Sequence, residues 1–369
     1  MGAPKVTRKF VHTLLRKTRR RAKALKAQTY SSDEIELLLT YVADLRKDIL
    51  QKFLGDQDLP RSGNKADVVT RVQQAVDKGT LSYDDLIELL DEVEPWSKQH
   101  MFLYGGTTPS PTNWRDANWV STHLKANRVY KYLNQHTPLL LPPSLRLSTI
   151  EYDADHMRVV AVERRVGYER DEDLDDSTED QDGEEVELRA YVRRVTRGLI
   201  AFEWDLQANV AFLQVTQLPT HARYQEAITR FASLVEDWLP LATFPQIDIR
   251  PAIAEFHRLE QLGQGAVRSH SIEIATPDGR RLGGVSASAE QSLLGNTHID
   301  TALEAVRDDG GVGHLGNFYL LPDVSDHSNP IKDGEVHVVL LGNRGRINLM
   351  TPQTEDVVRY ALRRIREAC

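Results

Sequence analysis

The sequence predicts an α+β protein of several domains: an all-α N-terminal part, then mixed segments built on antiparallel sheets. Three observations carry that expectation. At 369 residues the chain has room for two or three domains of ~150 residues each. Helical periodicity with capping signals dominates residues 31–95, whereas β-branched runs separated by turn signals dominate the rest of the chain. Hydrophobic residues at 40% and charged residues at 27% supply a core, so the chain as a whole is not disordered.

In chain order, residues 1–29 form a basic arm. Phe10, Val11, Leu14 and Leu15 share one helical face there, and Arg16, Lys17, Arg19, Arg20 and Arg21 surround it. Such a short helix forms only when it is docked or bound. Residues 30–95 form a helical domain. Ser31 with Glu34 makes a capping box for the first helix, and Ile49, Leu50 and Phe53 lie on the second. A third helix follows Arg61-Ser62-Gly63-Asn64 and carries the stripe Val68, Val69, Val72 and Val76. A fourth starts at Ser82 with Asp85 at its third position.

Residues 96–263 form a central α+β domain. Trp96 to Tyr104 reads as an aromatic stretch and residues 118–133 as a helix. Residues 158–166, 187–195 and 209–217 read as strands, with 199–204 as a further one. Between the first two lies an acidic loop, 169–187, expected to be solvated and mobile. Helices at 221–239 and 250–262 close the domain, the second with Pro251 in its first turn. Residues 266–369 form a C-terminal α+β domain. It opens on a hairpin turned by Pro277-Asp278-Gly279 and ends on a helix over 354–367.

The net charge is 46 − 54 = −8, which by itself disfavours a polyanionic partner. It is unevenly spread. Residues 1–28 carry ten Lys/Arg and no acid, whereas residues 169–187 carry twelve Asp/Glu and one Arg. The single cysteine, Cys369, excludes an intrachain disulfide and a multi-cysteine zinc site, and it fits a reducing compartment. Uninterrupted apolar runs stop at four residues, so no membrane span is expected.

The most informative stretch is 41–76, YVADLRKDILQKFLGDQDLPRSGNKADVVTRVQQAV. Leu45, Ile49 and Leu50 fill a first helix. Leu59-Pro60-Arg61-Ser62-Gly63-Asn64-Lys65 fills a turn. Val68, Val69, Arg71 and Val72 lie in register on a second helix. This pattern resembles the SAP motif, a short helix–turn–helix DNA-binding module. The segment Gly55-Asp56-Gln57-Asp58 is longer and more acidic than that motif's usual turn. The resemblance implies DNA contacts from Arg61, Ser62, Gly63, Lys65 and Arg71. Gly63 permits a tight turn, Ser62 is placed to cap the next helix, and that helix start favours a phosphate.

A second basic feature is the hairpin flanking the acidic loop. Arg164 and Arg165 lie on its first strand, and Arg193, Arg194 and Arg197 on or just past its second. Strand alternation is expected to put Arg193 with Arg197 on one face and Arg164 with Arg194 on the other. Guanidinium groups in this array suit phosphate, unless nearby carboxylates such as Glu163 or the acidic loop take them. The order of a small helical domain, an aromatic stretch, a helix and a basic hairpin resembles the CENP-N family. That resemblance implies a DNA groove between residues 30–95 and the hairpin.

Catalytic signals are weak. Gly311-Val312-Gly313-His314-Leu315-Gly316 matches G-x-G-x-x-G, but a helix precedes it and a strand comes after, the reverse of a dinucleotide site. It reads as a flexible turn. Asp323 with Glu335 and His337 is similar to a metal-dependent nuclease pattern, with His in place of the usual Lys. The expectation is a non-catalytic DNA-binding protein without cofactor or metal, which recruits a partner protein or self-associates through its C-terminal domain. A nuclease or processing subunit, or an assembly subunit of a defence or chromosome-maintenance complex, are the alternatives. Its expected place is the cytoplasm, on the nucleoid, or the nucleus.

Overall fold

The computed structural model describes residues 30–97, 99–107, 112–179, 185–218 and 222–369. The arm residues Arg16, Lys17, Arg19, Arg20 and Arg21 lie outside them. The described chain opens with a helical module of α1 (Ser32–Asp44), α2 (Lys47–Asp56), α3 (Lys65–Asp77) and α4 (Tyr83–Val93). Short reciprocal hydrogen bonds start three of these helices. Ser31 and Glu34 make the capping box of α1, Asn64 and Asp67 that of α3, and Ser82 and Asp85 that of α4. Each box satisfies amide groups that the helix itself leaves unpaired. Leu38, Leu50, Leu54, Val68, Leu86 and Ile87 are fully buried in the module's core.

Beyond the module come β1 (Gln99–Tyr104), α5 (Ala117–Ala126), β2 (Arg146–Tyr152) and β3 (His156–Arg170). Next are β4 (Asp176–Glu179), β5 (Glu185–Leu188), β6 (Tyr191–Asp205), β7 (Val210–Thr216), α6 (Tyr224–Val235) and α7 (Arg250–Gln261). The last third holds β8 (Val267–Ala275), β9 (Arg281–Val285), α8 (Thr297–Asp308) and β10 (Val312–Leu320). It ends with β11 (Val336–Leu341), β12 (Arg346–Leu349) and α9 (Glu355–Glu367). Ten of the strands form one antiparallel sheet in the order β2-β3-β6-β7-β1-β12-β11-β10-β8-β9, and β4 pairs with β5 separately. The α+β class expected from the sequence is therefore the class observed.

Strands from 96–263 and from 266–369 share this sheet, and β1 is the seam. It pairs with β7 along its whole length and with β12 at His100 and Met101. Both of its faces are covered: Met101 and Leu103 enter one core, Phe102 and Tyr104 the other. A strand buried on both faces has no polar alternation to reveal it. On one sheet face Val159, Ala161, Ile200 and Phe202 pack against α5 and α6 through Val120, Leu124 and Phe231. The opposite face of the second half packs α7 and α9 through Ile253, Phe256, Val358 and Ala361. The runs 187–195 and 199–204 belong largely to one long strand, β6.

The flexible turn expected at Gly311–Gly316 is instead the start of β10. Its glycines admit α7. A Cβ on Gly313 would lie 2.6 Å from the Arg250 carbonyl oxygen and 2.6 Å from Ile253 Cβ. Gly313→Ala should therefore wedge α7 off the sheet, destabilising by about 1–3 kcal/mol. Urea unfolding checks this, and an unchanged midpoint would show that α7 yields freely. No helix of the described residues is long and apolar enough to cross a membrane.

Candidate nucleic-acid interface

β3 and β6 pair without interruption from His156 opposite Asp205 to Arg170 opposite Tyr191. The outer part of this pair projects as a ribbon with many exposed side chains. Residues directly opposite one another share a face. Arg164 lies opposite Arg197, Tyr168 opposite Arg193, and Arg165 opposite Thr196. One face thus carries Arg164, Val166, Tyr168 and Arg170 with Arg197, Val195, Arg193 and Tyr191. The other carries Arg165 and Arg194. The expected partnership of Arg164 with Arg194 is corrected by this register, which puts Arg164 with Arg193.

Two of the candidate arginines are withdrawn from the surface. The Arg197 side chain is 0% exposed and sits between Asp91 and Glu94 at the end of the helical module. Its Nη2 donates to Asp91 and its Nη1 to Glu94, and its backbone N–H donates to the Tyr41 hydroxyl at 2.9 Å. Asp91 also accepts from Ser148, is held by His136 Nε2 at 2.6 Å, and offers its carbonyl to Arg158 at 3.1 Å. Arg197 therefore fastens the module to the sheet and is not available to a phosphate. Arg165, 6% exposed, donates from Nε to Glu163 at 2.9 Å and from Nη1 to the Thr216 carbonyl at 2.9 Å. Its place on the accessible array is corrected likewise.

Charge in this region is arranged by neighbours. Asp91 is held well below the usual carboxylate range: burial raises its pKa, but Arg197, His136 and Ser148 together prevail. Glu94 moves the other way, up to about 7, through burial and the adjacent Asp91, although Arg197 opposes the rise.

The described residues of the acidic segment carry secondary structure. Its ends form the β4–β5 pair and a single turn at Glu172–Leu174. Asp175 takes Arg170 at 2.5 Å, Glu187 takes Arg189 at 3.1 Å, and Glu169 takes Arg194 at 3.3 Å. Arg164 and Arg193 are exposed and form no ion pair among the described residues. On the same face, Tyr168, 63% exposed, stands directly opposite Arg193, and Tyr191, 58% exposed, stands one pair further out. Sequence reasoning missed both tyrosines. The signal was present: Tyr168 lies two residues from Arg170 and Tyr191 two residues from Arg193, which is strand spacing for a shared face.

On the helical module, Arg61, Ser62, Gly63 and Lys65 form an exposed turn between α2 and α3. Asn64, not Ser62, caps α3: its Oδ1 accepts from the Asp67 N–H at 3.0 Å. Gly63 has φ +120°, and a Cβ there would lie 2.7 Å from the Asp67 carboxylate. Beside it, the Ser62 carbonyl accepts from Arg71 Nη1, so Arg71 braces the turn. Lys65 stands exposed at the first position of α3.

The carboxylates of the nuclease-like pattern are engaged separately. Asp323 accepts from the Ser325 N–H at 2.8 Å and from its hydroxyl at 2.6 Å, closing its own turn. Glu335 pairs with Arg268 at 2.6 Å, and His337 stacks on Tyr319 at 4.6 Å. Among the described residues no group of three or more His, Cys, Asp or Glu side chains is placed to hold a metal. No protein-family model matches the chain, and no curated protein sequence matches it.

Proposed function

We propose that the chain is a non-catalytic DNA-binding protein that grips the phosphate backbone. The observation that carries this reading is the ribbon face on which Arg164 and Arg193 stand exposed with Tyr168 and Tyr191. Guanidinium groups beside open aromatic rings suit a polyanion whose sugars and bases offer flat surfaces. The exposed Arg61–Lys65 turn, with its SAP-like sequence, and the ten cations of the arm add sequence-independent contacts. Because phosphate contacts position a protein without specifying sequence, its sequence preference is weak. Such a protein works in the cytoplasm, on a nucleoid, or in a nucleus. A partner protein or second copy of the chain would be held by the C-terminal half.

The test is duplex binding across a salt series. The full chain should bind most tightly at ~50 mM salt, and Arg164→Gln with Arg193→Gln should lower the salt slope by about 2, at ~0.9 per lost contact. Affinity should fall by roughly tenfold or more at fixed salt. Removing residues 1–29 should weaken binding further without abolishing it. No binding at low salt by the full chain would end the reading. Oligomers that persist at salt levels stripping DNA would favour an assembly subunit instead.

A further inference from the structure

The base of the ribbon meets α6 in a cleft of about 970 Å³, bordered by residues from both ribbon faces. Five arginines and three glutamates line it, so its wall is net cationic. Arg165 is the most constrained of these arginines. Glu163 and Thr216 take its Nε and Nη1, yet its Nη2 is buried with no hydrogen-bond partner among the described residues. Gly198 makes room for it, since a Cβ there would lie 2.2 Å from Arg165 Nε. A buried, unpaired guanidinium N–H is costly, and an incoming oxyanion would complete its hydrogen bonding. Burial lowers the pKa of Arg165, and the Arg230 charge adds to that shift. An anion in the cleft relieves both.

Two further groups converge there. Arg230, from α6, donates its Nη2 to both oxygens of Glu163 at 3.0 and 3.1 Å. Arg223 stands exposed at the N-cap of α6 and makes no side-chain cap, so the first-turn N–H groups of this 12-residue helix carry no side-chain acceptor at that position. Such a terminus attracts an anion. Arg165 is already held by Glu163 and Thr216, so little rotamer freedom is lost when it takes a ligand.

We propose that this cleft binds a phosphate group, held by Arg165 Nη2, Arg230, Arg223 and the N-terminus of α6. The groups that hold the phosphate lie on α6 and on the ribbon face away from Arg164 and Arg193, although Arg164, Tyr168 and Tyr191 also border the cleft, and the proposal does not rest on the DNA reading. A phosphomonoester of a small molecule and a backbone phosphodiester present the same oxyanion, and the experiment separates them.

The probe is inorganic phosphate, titrated into the full-length chain at constant ionic strength with chloride as the control. Saturation should raise the melting temperature by about 2–5 °C. Arg230→Gln and Arg223→Gln, both at accessible positions, should each weaken the response at least ~10-fold, the cost of losing one charged hydrogen bond. Arg165→Met should abolish it, but that variant also strips Glu163 of a partner, so the α6 variants carry the decision. A nucleoside monophosphate that competes where an oligonucleotide without terminal phosphates does not marks a monoester site; the reverse marks a backbone site. An equal shift in chloride, or a response kept by the Arg223→Gln, Arg230→Gln double variant, overturns the proposal. A phosphate response without duplex binding would sink the DNA reading alone; duplex binding without a phosphate response would sink this one alone.

Discussion

Replacing Arg197 with methionine is expected to destabilise the folded chain by about 3–5 kcal/mol, the usual cost of removing one partner from a buried ion pair. The cause is what remains. Asp91 is 4% exposed and Glu94 16% exposed, and both would face the cavity with no guanidinium between them. His136 and Ser148 still serve Asp91, but Glu94 loses its cation. Two carbonyl contacts to Leu139, each 3.3 Å, go as well. Because Arg197 bridges the helical module and the sheet, the loss should appear as earlier release of the module. Hydrogen exchange would show amides of α1 and α4 opening before those of β6. Adding Asp91→Asn and Glu94→Gln should recover much of the loss, since replacing all members of a buried ionic group is far milder than orphaning some. An Arg197→Met midpoint within error of the parent would show that Arg197 does not lock the module to the sheet.

Raising the pH from 5 to 8 should weaken the same junction. Glu94 titrates near 4.5 when unfolded and about 7 when folded, pushed up mainly by burial. Between those values the folded chain keeps a proton that the unfolded chain has released. The resulting stability is complete below pH 4.5 and is lost as the pH climbs through 7. At ~1.4 kcal/mol per unit the change is on the order of 3 kcal/mol. His136 acts in the same sense: burial lowers its pKa, but the Asp91 hydrogen bond and charge raise it more, so its contribution is also lost as the pH rises. Asp91 acts oppositely, since its depressed pKa gives stability above 3.8 that is lost only in acid. Urea midpoints at pH 5.5 and 8 measure the sum. Glu94→Gln should flatten the profile between them, and an unchanged slope in that variant would show that Glu94 does not carry it.

What the sequence made legible was local. Ser31 with Glu34 and Ser82 with Asp85 declare two helix starts within four residues each, and both form. Pro277-Asp278-Gly279 declares a hairpin, and Gly279 adopts φ +85° there. The first residues of β10 were unreadable because their glycines answer to Arg250 and Ile253 on another element. Arg197 was misread for the same reason. An arginine on a strand looks alike whether it faces a phosphate or a carboxylate, and its partner Asp91 lies 106 residues upstream. The ribbon's parity was recoverable only once the pairing register fixed which residue stands opposite Arg164.

The position of β1 has a consequence for synthesis. Its neighbour on one side, β7, is complete by Thr216, but its neighbour on the other, β12, begins only at Arg346. At ~5–20 residues per second, the second edge of β1 waits on the order of 5–30 s after β7 for its partner. During that interval the nascent chain presents an open strand edge with Met101 and Leu103 uncovered, an invitation to pair with a neighbouring chain. Polysome crowding and chaperone supply, rather than the stability of the finished fold, should therefore set how much of this protein reaches its native state.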